Sequence, residues 1–209
     1  METGSAVDLF AIVPRIGVLR DPRFKKPLLE LLAHKDLKKR EFAAYAMGAL
    51  GDREFLEPLK GAFCELRDTK RAHAEDLLIA IIESIGEVGD DAAVEFFLPL
   101  LREPAQGKHA LQMRRWIVES LGSVAQQGGT RSEATLLELT GHEDPNLRAQ
   151  AISELSVAYW HRPERVPQEI LSRICEMMRD QDRAVAESAL AALQSLADVG
   201  CTRAERLFE

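Results

Sequence analysis

The sequence predicts an all-α fold, a right-handed α-solenoid of about six helical hairpins. Two observations lead to this prediction. Hydrophobic residues make up 46% of the chain but aromatic residues only 6%, and Ala and Leu, which are strong helix formers, carry most of the apolar content. In addition, one short pattern recurs along the whole chain: a large apolar residue, a small one, any residue, an apolar one and a small one. Self-similarity at intervals of a few tens of residues is typical of solenoids.

The spacing of this pattern defines the repeats. Its clearest copies are Met47–Gly51, Ile85–Gly89 and Leu121–Ala125. We call the first residue of each copy the anchor. Consecutive anchors are separated by 31, 38, 36, 34 and 38 residues, and they are Ile16, Met47, Ile85, Leu121, Leu155 and Leu193.

Each anchor from Met47 onward ends an amphipathic segment, which we interpret as the second helix of a hairpin. Counted from the anchor, positions −8, −4, −3, 0 and +3 are apolar with a period near 3.6, and Lys39 is the exception. First helices are predicted before these segments, over residues 24–34, 53–67, 91–102, 130–140 and 167–179.

Turns and helix ends have their own signals. Asp36, Asp144 and Asp182 are placed to cap the second helices. Pro27, Pro58 and Pro99 recur beside Leu in the first helices and predict a shared kink. Gly51-Asp52 and Gly89-Asp90 are expected to end helices, with glycine in a left-handed cap.

Because a hairpin of this kind buries its apolar face only by stacking, we expect one domain over residues 1–209 with atypical ends. The predicted divisions are a cap at 1–22, repeats at 23–52, 53–90, 91–129, 130–165 and 166–201, and a C-terminal cap at 202–209.

Together, the Pro-Leu-Leu first helix, the Asp turn and the Leu-Gly-x-Val-Gly ending resemble HEAT repeats, of the type found in bacterial HEAT and phycobilisome-lyase-type proteins. Asp36 with Arg40, and Asp144 with Arg148, match the family's Asp-x-x-x-Arg pattern. The resemblance implies that these four residues are structural and bond along the stack. The other second helices depart from the pattern, with Ala74 and Leu78, Ala110 and Arg114, and Asp182 and Ala186 at these two positions. HEAT arrays mostly serve as scaffolds and adaptors, so the resemblance is specific for fold and not for activity.

Charge and cysteine content narrow the function classes. The formal net charge is −7, and the acidic excess lies in residues 61–209, which disfavours nucleic-acid binding. The three cysteines are widely spaced, which suits a reducing compartment. With no signal-peptide pattern and no long apolar run, the chain is predicted to be cytoplasmic and not membrane-bound.

The sequence does not predict an enzyme. A di-iron hydroxylase similar to deoxyhypusine hydroxylase needs several His-Glu pairs, and this chain has one, His142-Glu143. A HEAT-like DNA glycosylase needs a basic concave face, whereas the basic cluster between Lys25 and Arg40 is confined to one end. We therefore expect no catalytic residues, no metal and no cofactor. An accessory subunit or chaperone of lyase or maturation type stays open as an alternative.

The predicted function is a scaffold that binds another protein, as an extended segment or a helix, on the concave face formed by the second helices. Positions −9, −5 and −2 point away from the core rows and vary from repeat to repeat. The alternative is that Trp116 folds back onto the next helix and that Phe42 fills space beside Ala80. The predicted contact residues are Phe42, Tyr45, Glu83, Arg115, Trp116 and Glu119.

Overall fold

A computed structural model describes residues 11–68, 74–103 and 108–207. Regular structure in these residues is helical throughout, which confirms the all-α class. None of the helices described is long and apolar enough to cross a membrane. The helices of these ranges are α1 (Val13–Leu19), α2 (Lys25–Leu32), α3 (Leu37–Leu50), α4 (Leu56–Leu66), α5 (Ala74–Arg102), α6 (Lys108–Gln126), α7 (Thr130–Leu139), α8 (Pro145–Val157), α9 (Gln168–Met177), α10 (Arg183–Asp198) and α11 (Thr202–Glu205).

The chain divides into two compact units, residues 1–96 and 97–209. In the first unit, α3 packs against both α1 and α2. In the second unit, α6, α8 and α10 pack side by side in chain order, while α7 contacts α6 and α8, and α9 contacts α10. Stacking of successive hairpins in this way is the α-solenoid arrangement, so the predicted fold class is confirmed. The hand of the superhelix and the single-domain boundaries stay predictions.

The core follows the predicted helical positions. The second helices of the five hairpins are α3, α5, α6, α8 and α10. In each of them the residues at positions −4, 0 and +3 are at most 6% exposed. Leu190, at position −3 of α10, is the exception to the rule for apolar positions, because it is 42% exposed. A following second helix packs against α3, α6 and α8, but α10 is followed by the four-residue α11. The last repeat therefore leaves part of its apolar stripe uncovered.

Aspartate caps begin three of the second helices, as the sequence predicts. The carboxylates of Asp36, Asp144 and Asp182 each accept a hydrogen bond of 2.9 Å from the backbone N–H two residues further on. A side-chain acceptor at this point satisfies an N–H that has no partner within the helix. The direction in which each second helix leaves its turn is thus set locally.

The expected kink at the prolines is wrong for Pro27 and Pro58. Each is the third residue of its helix, α2 or α4. The N–H groups of the first turn have no acceptor inside the helix, so proline removes no hydrogen bond there. Pro99 lies inside α5, but the non-helical residue of that helix is Asp90.

The two Gly-Asp pairs behave differently from each other. Gly51 ends α3 with a φ of 67° and donates its N–H to the carbonyl of Met47, as predicted. At the second pair, Asp90 and not Gly89 takes the positive φ, 42°, and the helical run continues to Arg102. Asp tolerates positive φ better than most residues. The Asp90 carboxylate also accepts the N–H of Ala92 at 3.2 Å and pairs with Arg53.

Small residues after the anchor permit close helix packing, as the sequence indicates for Gly48. A Cβ at residue 48 would lie 2.8 Å from the hydroxyl oxygen of Ser84 on α5. That hydroxyl donates a 2.7 Å hydrogen bond to the carbonyl of Ala44 on α3. The absence of a side chain at Gly48 therefore allows a direct polar contact between successive second helices.

Candidate protein-binding face

The outward positions of the second helices are not equivalent. Positions −9 and −2 are exposed in most repeats, whereas position −5 is buried in α3 and α5 and half-buried in the others. At 100° per residue, position −5 lies closer to the buried position −8 than position −2 does. The solvent-facing surface of each second helix, which we call the outward face, is therefore formed mainly by positions −9 and −2.

Phe42 does not lie on the outward face. It occupies position −5 of α3 and is only 6% exposed, so its expected place on a wet surface is wrong. The alternative, that Phe42 fills space inside the stack, agrees with its burial. We therefore leave Phe42 out of the surface considered for binding.

In the first unit, Tyr45 and Glu83 meet at a small cavity of about 160 Å³. Tyr45 on α3 is half-buried, and Glu83 on α5 is exposed. Burial, followed by the nearby carboxylates of Glu83, Glu41 and Asp76, raises the pKa of Tyr45 to about 12. The phenol thus stays protonated at neutral pH beside acidic groups.

A lysine bridges the same two helices. The Lys38 ammonium lies 2.8 Å from a carboxylate oxygen of Glu41 and 3.0 Å from one of Asp76. These contacts raise the pKa of Lys38, chiefly through the hydrogen bond with Glu41. The outward face of the first unit is therefore a polar surface in which carboxylates outnumber the ammonium group.

In the second unit, Arg115, Trp116 and Glu119 lie on the outward side of α6. Arg115 and Glu119 are exposed and Trp116 is half-buried. The side-chain amide of Gln150 on α8 donates a 2.8 Å hydrogen bond to the carbonyl of Arg115. This bond ties α8 to α6 at the level of the tryptophan, so the aromatic ring is presented by two packed helices rather than by a loop.

Glu154 is a further member of this surface that the sequence analysis missed. It belongs to α8, and burial, followed by the nearby Glu119 carboxylate, raises its pKa to about 8. Position −1 is Ala or Ser in the other second helices, namely Ala46, Ser84, Ser120 and Ala192. A glutamate in that row of small residues was the available signal that a carboxyl group lies between packed helices, and its raised pKa keeps that group protonated at neutral pH.

The Asp-x-x-x-Arg residues lie away from the outward face, at the turns. Asp36 and Asp144 are helix caps, and the two arginines reach into the following repeat. Arg40 donates to both carboxylate oxygens of Glu65, at 3.1 and 3.0 Å. Arg148 donates to both oxygens of Asp180, at 3.0 and 2.8 Å. Each arginine thus links two repeats through a two-point ion pair.

The structure defines an all-α protein of stacked helical hairpins. No protein-family model matches the sequence, and no curated protein is significantly similar to it. Among solved structures, the chain is similar to the complex of CpcE and CpcF of phycocyanin lyase from Nostoc sp. PCC7120, with 18% identity and a TM-score of 0.43 over 90% of this chain and 72% of that chain. It is also similar to human deoxyhypusine hydroxylase in complex with glycerol, with 16% identity and a TM-score of 0.34 over 94% of this chain and 82% of that chain.

Proposed function

We propose that this chain is a non-catalytic scaffold that binds another protein on the outward faces of its second helices. The observation that supports this most directly is the surface around Trp116 in the second unit. Trp116 is half-buried on α6, with exposed Arg115 and Glu119 beside it. Tryptophan and arginine are the residues most enriched where protein interfaces concentrate their binding energy. Helices held by packing also present such residues at little entropic cost.

The charges on these faces favour a partner with basic side chains. Glu83 is exposed in the first unit and Glu119 in the second. Complementary charge fixes the orientation of a bound segment and speeds its association. The same carboxylates repel a phosphate backbone, so nucleic-acid binding is the less favoured function.

Glu154 adds a polar contact of a different kind. With a pKa of about 8, its carboxyl group is protonated at neutral pH and offers an O–H donor beside the Glu119 carboxylate. A bound segment meets an aromatic ring, a fixed charge and a neutral acid within one short stretch of two helices. A partner that accepts a hydrogen bond from Glu154 would bind more weakly as the pH rises through 8.

The test uses single substitutions on α6. A partner is first captured from lysate of the source organism, and its affinity for the purified variants is then measured by titration calorimetry. Trp116→Ala should weaken binding by about tenfold or more, which corresponds to about 1.4 kcal/mol. The matched control is Leu111→Ala, because Leu111 is also a large apolar residue on α6 and is 43% exposed. It lies five residues away and so on another side of the helix.

The outcomes separate the candidate functions. An unchanged affinity in Trp116→Ala, with Tyr45→Ala also unchanged, places the binding surface elsewhere. A coloured small molecule captured equally by wild type and both variants supports the alternative, an accessory subunit or chaperone of lyase or maturation type. Capture of nucleic acid that is lost steeply with salt supports nucleic-acid binding.

A further inference from the structure

Arg114 is a largely buried arginine that has no ion-pair partner among the residues the structure describes. It lies on α6, is 7% exposed, and makes no hydrogen bond or ion pair with any residue that the structure describes. Arginine stays charged at all physiological pH values, and a buried charge is costly when nothing neutralises it. The guanidinium of Arg114 is therefore available to pair with an anion.

The repeats show which anion this position takes. Counted from the anchor, Arg114 stands at position −7, as do Arg40 and Arg148. In both of those repeats the guanidinium is held by a carboxylate of the following repeat, Glu65 for Arg40 and Asp180 for Arg148. The planar fork of arginine matches a carboxylate at two points.

The repeat that follows Arg114 has neither of these acids at the equivalent positions. Glu65 stands at position −20 of its repeat, and the residue at −20 in the repeat after Arg114 is Thr135. Asp180 stands at position −13 of its repeat, and the corresponding residue is His142. The Thr135 hydroxyl donates to the carbonyl of Arg131 at 2.9 Å. Neither residue brings a negative charge to Arg114.

A cavity occupies the place of the missing acid. It has a volume of about 450 Å³, and Arg114, Thr135 and His142 all line it. Its remaining wall includes Leu98, Leu101 and Leu139, so apolar atoms surround the charged group. A cavity of this size can hold a small molecule or a side chain.

The charges around the cavity favour a single negative charge. Arg102 and Arg114 line it, but so do the exposed carboxylates of Glu138 and Glu143. Both carboxylates repel any anion in the cavity, but they repel a phosphate dianion about twice as strongly as a singly charged carboxylate, which the arginine fork can pair at two points. The Nδ1 atom of His142 accepts the N–H of Asp144 at 3.0 Å, so a neutral His142 ring carries its proton on Nε2, as a donor.

We propose that the cavity beside Arg114 is a binding site for a carboxylate, supplied by a free carboxylic acid or by an acidic side chain of a peptide. The bound carboxylate takes the place that Glu65 and Asp180 occupy in the other repeats. The site lies at the turn side of the second unit and is independent of the outward face around Trp116.

Succinate and the peptide acetyl-Ala-Glu-Ala-amide are the probes, with acetyl-Ala-Gln-Ala-amide and inorganic phosphate for comparison. Binding to the full chain is followed by the Nε–H NMR signal of Arg114, assigned with Arg114→Lys. Succinate and the Glu peptide should shift this signal saturably, with dissociation constants near ~1 mM or lower. Tenfold tighter binding of one of them identifies the source of the carboxylate. The Gln peptide should not saturate, and phosphate should bind at least about tenfold more weakly than the better carboxylate.

His142→Asp is the decisive variant because it restores the missing acid. Asp180, at the equivalent place, accepts the N–H of Asp182 at 2.8 Å just as His142 accepts that of Asp144, so the turn is preserved. This variant should lose carboxylate binding at least tenfold and raise Tm by about 3 °C. The control His142→Asn keeps the turn acceptor without the charge and should retain binding. Undiminished binding in His142→Asp, tighter binding of phosphate, or no saturable shift in wild type overturns the proposal.

Discussion

The side chain of Glu154 lies directly on Gly122, at a place where a Cβ on residue 122 would collide with the Glu154 carboxylate. Glycine at the position after the anchor thus creates the space that lets a carboxyl group enter the contact between α6 and α8. Burial in that space, together with Glu119, raises the pKa of Glu154 to about 8. Gly48 allows Ser84 to approach α3 in the same way. At Gly122 the group that packs against the glycine is a protonated carboxyl group.

Glu154→Gln should change how stability depends on pH. The pKa of Glu154 is about 8 in the folded chain, above its ordinary value of 4.5, so the folded state binds the proton more tightly than the unfolded state. Wild-type stability should therefore fall as the pH rises from 4.5 to 8, by at most about 5 kcal/mol from this group. The glutamine variant lacks this proton, so its urea unfolding free energy should fall less than that of wild type over the same window. Equal pH profiles for the two proteins would contradict the assignment.

Gly122→Ala should lower the pKa of Glu154. The new methyl group takes the space of the carboxyl and drives it toward solvent, where the charged form is favoured. The side-chain carbon signal of Glu154, followed by NMR titration, should then show a midpoint at least about one unit below that of wild type. A suitable control is Gly61→Ala, because a Cβ at Gly61 meets no atom within 4 Å. That control should leave the Glu154 titration unchanged.

Arg148→Ala should be among the more damaging changes at the turns. It removes the two-point pair with Asp180, whose side chain is 8% exposed, and two hydrogen bonds to the carbonyls of His142 and Glu143. The unfolding free energy should drop by about 2 kcal/mol at pH 7. In contrast, Arg183→Ala breaks a pair with Glu187 in which both side chains are well exposed, and it should cost at most about 0.5 kcal/mol.

The same pair has a pH signature. The hydrogen bond with Arg148 lowers the pKa of Asp180 below its ordinary value. An acid whose pKa is lowered by folding stabilises the folded chain at pH values above its ordinary pKa, which is 3.8 for Asp180. That stabilisation is lost as the pH falls through the lowered pKa. The difference in unfolding free energy between wild type and Arg148→Ala should therefore shrink in acid. A difference that stays constant down to pH 2 would show that the arginine acts through its carbonyl contacts alone.

Gly51→Ala and Gly61→Ala should have opposite effects on stability. Gly51 closes α3 with a φ of 67°, which costs a residue with a side chain about 1 kcal/mol. Gly61 lies inside α4, exposed and with open space where a Cβ would go, so alanine should stabilise that helix by up to about 1 kcal/mol. Thermal unfolding of both variants tests the pair. Destabilisation of similar size at the two sites would show that backbone conformation does not decide the outcome.

Much of the repeat architecture could be predicted from the sequence because helix formation and helix burial are periodic. The row at position −4, from Ala43 to Ala189, is fully buried as predicted. The capping aspartates Asp36, Asp144 and Asp182 could be located for a similar reason, since a cap depends on residues within one turn. The kink at Pro27 and Pro58 was a wrong prediction, because whether proline disrupts a helix depends on where the helix begins.

The candidate site was less predictable. Tyr45, Glu83, Arg115, Trp116 and Glu119 are exposed or half-buried, but Phe42, in the same row as Trp116, is in the core. A residue at the border between the buried and the exposed sides of a helix is covered only if a neighbouring helix packs over it. The position in the sequence does not show which side chains those neighbours bring. The binding role of the exposed residues stays a prediction.

The sequence by itself determined the helices, their repeat and most of the core, because those follow from local propensity and a 3.6-residue period. Only the tertiary structure decided which polar groups lack partners and which are protonated. Arg114 and Arg148 stand at the same position of their repeats, yet Arg148 meets Asp180 and Arg114 meets a cavity. Glu154 is one of many glutamates, yet the space left by Gly122 lets its carboxyl group pack between helices, where its pKa is raised. Charge state and pairing depend on distances between separate helices, and those distances exist only once the chain has packed.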